Sequence, residues 1–260
     1  MTETHTRVDR RRKYYLMVDV ETANSSSESK LIPSQSLVYD IGAAIVDRNG
    51  NVFESLSVAV NEVFYDMADD VMQTAFYAQK LPQYHEDIAN GKRQVLNFAQ
   101  VKFIFDKWAK FYDIVAVVAH NARFDYTALN ATQRYLSKSA YRYFLPYGIP
   151  IWDTMKMAND TICKEREYLK FCEELGYLTK RGQVRKTAEV LFQYISGDVT
   201  FKESHTGLED VLIEKEIFSY CMKHHRSKEM RKELFNSQKE SFPVYVKSVS
   251  GKKFRIGQNF

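Results

Sequence analysis

Residues 14–22 read YYLMVDVET, and residues 37–60 follow as LVYDIGAAIVDRNGNVFESLSVAV. The first stretch is a short aromatic and β-branched run, which predicts a buried strand. The second holds two β-rich runs joined through Arg48-Asn49-Gly50-Asn51, a hairpin pattern. Together they predict three antiparallel strands in a meander. Between them lies a polar, serine-rich loop, Asn24–Ser36.

Downstream the pattern changes period. Residues 66–112 read as helical, divided by Pro82 and Gly91. In the last part, Val95, Phe98, Val101, Ile104, Phe105 and Trp108 recur at three- and four-residue spacing. Ile114–Ala119 (IVAVVA) is apolar throughout, as a strand covered on both faces should be. A helix over Phe124–Leu136, a short strand at Ile149–Asp153, and helices near 154–163, 165–176, 185–195 and 206–224 complete the order. This is an α/β chain: a mixed five-stranded sheet flanked by helices. Residues 1–13 form a basic tail, 14–224 the domain, and 225–260 a basic C-terminal extension. Within the extension, Pro243–Ile256 reads as a further β-hairpin turning at Ser250-Gly251.

With 260 residues, 45% hydrophobic and 27% charged, the chain can bury a substantial core. No apolar run approaches the roughly 20 residues of a membrane span, and no secretory segment follows the N-terminal charges, so a cytoplasmic protein is expected. Cys163, Cys172 and Cys221 are odd in number and contain no Cys-x-x-Cys pair, which argues against a disulfide framework or zinc site. The net charge is +4. Residues 1–13 carry five basic and two acidic side chains, and residues 223–260 carry ten and three, leaving −6 for residues 14–222. An acidic body with basic ends suits cations in the body and phosphates at the ends.

Three separated segments carry candidate chemistry. In VDVET, Asp19 and Glu21 are two apart on a strand and so share one face, with Val18 and Val20 on the other. The pair fits a solvated strand end or a cation site. In AHNARFD (119–125), an apolar strand runs into His120-Asn121 and then a helix. Asn121 suits the N-cap, and Asp125 falls in the first turn and a half, where a carboxylate is favoured in its charged form. In HTGLED (205–210), Thr206 and Glu209 have capping-box spacing. His205 then occupies N′ and Asp210 N4, the two positions a staple brings together. Leu208, Val211, Leu212, Phe218, Cys221 and Met222 would form the buried stripe of that helix. Acids gathered in one place repel each other, and a bound cation relieves that repulsion.

The ordered pattern DVET … HNARFD … HTGLED resembles the DEDD superfamily of 3′–5′ exonucleases, specifically its DEDDh (DnaQ-like) branch, over residues 14–224. Asp19 and Glu21 match the first motif, His120, Asn121, Phe124 and Asp125 the second, and His205 and Asp210 the third. The resemblance implies an RNase H-like fold with two divalent ions, Mg²⁺ or Mn²⁺. Asp19 would bridge them, Glu21 and Asp210 would complete one site, and Asp125 would support the other. His205 would act as general base. Thr22, and with it Asn121, would lie near the terminal nucleotide. The implied reaction is removal of nucleoside 5′-monophosphates from the 3′ end of nucleic acid, single-stranded DNA by preference. An RNA-trimming exonuclease of the oligoribonuclease type is the alternative within the class. A non-catalytic nucleic-acid-binding module on the same fold is the alternative outside it. The chain shows no polymerase domain, so any proofreading would be supplied in trans.

Overall fold

In a computed structural model of the chain, the described residues are 8–24, 36–67, 72, 75, 78–139, 142–225 and 230–234, with the strand backbone at 244–247 and 253–256. The serine-rich loop, the first seven residues and the side chains of the C-terminal hairpin lie outside them.

The expected meander is present. Strand β1 (Tyr14–Asn24) pairs antiparallel with β2 (Ser36–Asp47), which pairs antiparallel with β3 (Val52–Val60). The chain then passes through a one-turn helix α1 (Asn61–Phe64), a 3₁₀ turn at Ala78–Lys80 and helix α2 (Leu81–Ala89). A three-residue strand β4 (Gln94–Leu96) adds parallel to β3. Helix α3 (Phe98–Tyr112) leads to β5 (Ala116–Ala119), parallel to β1, and α4 (Arg123–Ser137) leads to β6 (Ile151–Asp153), parallel to β5. Helices α5 (Thr154–Asp160), α6 (Arg166–Glu174), α7 (Ala188–Ser196) and α8 (Gly207–His224) follow. The main sheet runs β4-β3-β2-β1-β5-β6.

The sheet therefore has six strands, not five. Strand β4 falls inside the stretch read as helical. Val95 continues the helical spacing backwards, but Asn97 and Gln100 form a capping box that starts α3 at Phe98. That Asn-x-x-Gln signal was in the sequence and marks where helix begins and strand ends. Past α8, residues 230–234 return to the sheet edge: Asp153 N–H donates to the Lys232 carbonyl (2.7 Å) and Leu234 N–H to that of Ile151 (2.7 Å). Strands β7 (Val244–Lys247) and β8 (Lys253–Ile256) pair antiparallel with each other.

Both faces of the sheet are covered. Tyr14, Leu16, Val18 and Val20 of β1 join one core with Phe98, Val101 and Phe105 of α3 and Ala128 and Leu129 of α4. Tyr15 and Met17 join the other, with Met157, Tyr168, Leu191, Ile217 and Phe218 from α5 to α8. The period of two along β1 thus separates two layers of helices.

Helix α8 lies on the second face with its N-terminus against β2. Backbone meets backbone there: a Cβ built on Gly42 would overlap the Gly207 carbonyl group, and one on Gly207 would collide with the Gly42 amide. A glycine inside a strand marks such close approaches. The buried face of α8 comprises Asp210, Val211, Ile213, Glu214, Ile217, Phe218 and Cys221, while Leu212 is exposed. The apolar stripe drawn through Leu212 was therefore rotated from the true one, because two carboxylates occupy positions that an apolar count skips. Replacing Gly42 by alanine should destabilise the protein by about 3 kcal/mol, read as a lowered urea midpoint at unchanged slope. A midpoint within error of the parent would show that β2 and α8 can move apart freely.

Candidate active site

Asp19 and Glu21 continue the odd-numbered face of β1 beyond Tyr15 and Met17, so one face of a single strand is apolar at one end and acidic at the other. In the β1–β2 register Asp19 lies opposite Gly42 and Glu21 opposite Asp40, with a bulge between Glu21 and Thr22. Because Gly207 rests on Gly42, the start of α8 is held directly over this acidic end. One ligand atom each from Glu21, His205 and Asp210 come within 4.8 Å of one another. The third segment is thereby brought onto the first.

The cap that holds this arrangement differs from the expected one. Thr206 is the N-cap of α8 and Glu209 sits at N3, but the Thr206 hydroxyl donates to Glu209 Oε2 (2.9 Å) and makes no cap bond to the backbone. The Gly207 amide instead donates to Asp40 Oδ2 at 2.9 Å. A carboxylate from β2 has taken the helix N-terminus, where backbone N–H groups and the helix dipole favour negative charge, leaving the threonine to bond its own turn. Asp40 is fully buried and also accepts from Tyr84 Oη (2.6 Å) and from the Arg93 guanidinium. Burial pushes its carboxyl up, while Arg93, Tyr84 and Gly207 act the other way. Sequence reasoning passed over Asp40. Its signal was a lone acid inside an apolar strand run, two residues before a glycine.

His205 adopts a left-handed backbone (φ 53°) immediately before this cap. Its Nδ1 lies 4.0 Å from Glu203 Oε2. Burial and the nearby Lys80 cation hold the imidazole below the ordinary histidine range. Lys80 is fixed by donating to the Ser204 carbonyl.

Asp125 arrives from the other layer, in the first turn of α4, and is 3% exposed. Asn121 does not cap that helix. Its backbone is left-handed (φ 57°), and the N-cap is Ala122, without a side-chain bond. The Asn121 amide donates to Asp153 Oδ1 (3.1 Å), which also accepts from Met155 N–H (2.9 Å). Asp153, at the end of β6, thus pins the turn that leads to Asp125. This second structural acid was also overlooked; its position before a helix of Thr-Met-Lys-Met type was its cap signal. His120 is occupied at both ring nitrogens, by Thr154 Oγ1 (2.8 Å) and the Lys186 carbonyl (2.7 Å), and serves as a tie between β5, α5 and the approach to α7. Thr22 is 2% exposed, so its hydroxyl is not displayed to a nucleotide arriving from solvent, whereas Asn121 is exposed.

Electrostatically the cluster is unbalanced. Burial, reinforced by the other acids, pushes Glu21 up to about 11 and Asp210 up to about 9. Burial likewise takes Asp125 to about 8, against its own amide and that of Val20, and raises Asp19 well above the carboxylate range. Asp19 Oδ2, Asp125 Oδ1 and Glu214 Oε2 are buried with no hydrogen-bond partner among the described residues. Orphaned buried oxygens on neighbouring acids are what a hard cation would satisfy, and an all-oxygen set suits Mg²⁺ or Mn²⁺. The residues present therefore fit such ions.

No protein-family model matches this sequence, and no curated protein sequence does. The fold does have relatives among solved structures. A 3′-exonuclease in a structure of 3′-end-specific recognition of a histone mRNA stem-loop matches with TM-score 0.55 and 12% identity, over 99% of this chain and 75% of its own. A full-length 3′-exonuclease matches with TM-score 0.56 and 11% identity, over 90% and 92%. The nuclease domain of 3′hExo, a DEDDh family member bound to rAMP, matches with TM-score 0.51 and 12% identity, over 83% and 94%. The chain has the RNase H-like fold of these exonucleases.

The raised acids have a consequence for stability. An acid whose folded pKa exceeds its unfolded value of about 4 binds more protons when folded across the interval between. Stability then falls as pH rises through that interval. His120 and His205, whose lowered values work in the opposite sense, are neutral in both states above about pH 7. The chelated protein should therefore lose several degrees of Tm between pH 7 and 9, and excess Mg²⁺ should remove most of that slope. A chelated protein whose Tm stays level over this window would contradict the clustering of buried acids.

Proposed function

We propose that the protein is a divalent-cation-dependent 3′–5′ exonuclease that releases nucleoside 5′-monophosphates from single-stranded DNA. The observation that carries this reading is the convergence of Asp19, Glu21, Asp125, His205 and Asp210, from three distant segments, around unpartnered carboxylate oxygens. The fold relatives, all described as exonucleases, support it.

Two ions, Mg²⁺ or Mn²⁺, would supply a hydroxide nucleophile near neutral pH and neutralise charge developing on the phosphate. Asp19, Glu21, Asp125 and Asp210 would hold them. His205 accepts the proton of the attacking water: its lowered pKa keeps the imidazole neutral near pH 7, which a base requires. Its backbone turn and the adjoining cap fix the ring beside Asp210. Asn121 is exposed in the second segment and would meet the terminal nucleotide. Behind that segment, a cleft of about 660 Å³ is lined by Lys156, Lys186, Arg231 and Lys232 among others, and suits phosphates further along the strand. The unpaired thiols of Cys163, Cys172 and Cys221 fit a reducing, cytoplasmic setting, and no helix of the described residues is long and apolar enough to cross a membrane.

RNA is the second reading, favoured by the two relatives seen with a histone mRNA stem-loop and with rAMP. Digestion of matched 5′-labelled DNA and RNA oligonucleotides, with Mg²⁺ or chelator, separates the two. A Mg²⁺-dependent ladder shortening from the 3′ end is expected, with DNA consumed faster. Asp19→Asn should abolish it, and His205→Ala should slow it by about 10²–10⁴-fold with Mn²⁺ affinity kept. Undiminished turnover in Asp19→Asn would reject the cation mechanism. Loss of Mn²⁺ affinity in His205→Ala would make this histidine a ligand instead of a base, as its closeness to Glu21 and Asp210 would permit.

A further inference from the structure

Glu214 is a carboxylate that the reaction as described does not use. It sits four residues after Asp210 on α8 and so on the same face of the helix. It is 3% exposed, on a helix face that also buries Val211, Ile217 and Phe218. Burying a carboxyl group in such surroundings is costly unless something pairs with it. Yet Oε2 has no partner among the described residues, and the groups acting on it are further acids: Asp19, Asp125, Asp210 and Glu203. A leucine or methionine would fill the same space without that cost.

The orphaned carboxylate oxygens form a consistent set. Asp19 Oδ2 comes from β1, Asp125 Oδ1 from α4 and Glu214 Oε2 from α8. Three elements from both layers each bring one unsatisfied carboxylate oxygen to the same neighbourhood. By contrast Asp40, equally buried, has donors on both oxygens.

We propose that Glu214 is a fifth carboxylate of the cation centre, a positioning residue whose Oε2 accepts a hydrogen bond from the water shell of the bound ions. The inference rests on the cation-dependent reading above. Partners of this kind orient the direct ligands, and their removal typically weakens metal binding about 10–100-fold.

The test is Mn²⁺ titration of the full chain, followed by the electron paramagnetic resonance signal of free Mn²⁺. The parent protein would be compared with Glu214→Leu, Glu214→Gln and Asp19→Asn, with melting of each metal-free protein in parallel. The parent should bind two ions. Glu214→Leu should weaken binding at least about 10-fold while the metal-free variant melts at or above the parent, because an apolar group of similar size relieves a buried charge. Mn²⁺ affinity unchanged in both Glu214 variants would overturn the proposal and leave the cation site standing. So would a metal-free Glu214→Leu that melts well below the parent, which would mark Glu214 as structural. Failure of the parent to bind Mn²⁺, or binding by Asp19→Asn equal to the parent's, would instead sink the cation-dependent reading itself.

Discussion

Two glycines, one in a strand and one at the first turn of a helix, let β2 and α8 touch through their backbones. Neither Gly42 nor Gly207 has room for a Cβ. Asp40, two residues along β2, fastens the contact by accepting the Gly207 amide while Tyr84 and Arg93 hold its other lone pairs. Everything the third segment contributes depends on this junction. Since Gly42 is opposite Asp19 and Asp40 opposite Glu21, the point that anchors α8 also fixes His205 and Asp210 relative to the first pair of acids. A side chain at either glycine would lift the helix and open the cluster at the same stroke.

Along α8 and the odd face of β1, two gradients run in parallel. At one end Tyr15 packs edge-on to Phe218, with ring centroids 4.8 Å apart, beside Met17 and Ile217. At the other end Asp19 and Glu21 face Asp210 and Glu214. The apolar end supplies the attraction that keeps strand and helix together. The acidic end raises the cost of ionising its own carboxyl groups, and the hydrophobic contact and the Asp40 junction hold it closed. A helix with this composition has no clean apolar stripe, because its most buried face alternates between anchor and site.

Much of this was legible in the sequence, and the failures have particular causes. The meander, the apolar strand before His120 and the three acidic segments are local patterns, and local patterns report local structure well. Strand β4 was hidden because three residues are too few to establish a period against a long helical stretch. Asn121 suits a cap by type and position, but α4 starts one residue later, after Ala122, and the Asn121 backbone N–H donates to Asp153 Oδ1. The Thr206–Glu209 spacing locates the start of α8, yet the Thr206 hydroxyl bonds Glu209 Oε2, and the side chain that accepts a first-turn N–H, that of Gly207, is Asp40 of β2. At both turns a carboxylate from another element accepts a backbone N–H. Propensity rules count only neighbours in sequence, so they locate a helix end closely and cannot name a partner that comes from another element.

Asp40 and Asp153 differ from the clustered acids in what they bond. Burial does not separate them: Asp40, Asp125, Asp153, Asp210 and Glu214 are all 5% exposed or less. Partners do. Asp40 has three donors, and Asp153 caps one turn and pins another. Their charge is already spent on backbone and guanidinium groups. Asp19, Asp125 and Glu214 keep an oxygen with nothing among the described residues to accept from, although Arg93 is brought to Asp40. Leaving those oxygens unpaired raises the free energy of the fold. Hydrogen-bond supply thus sets Asp40 and Asp153, which hold the fold, apart from Asp19, Asp125 and Glu214.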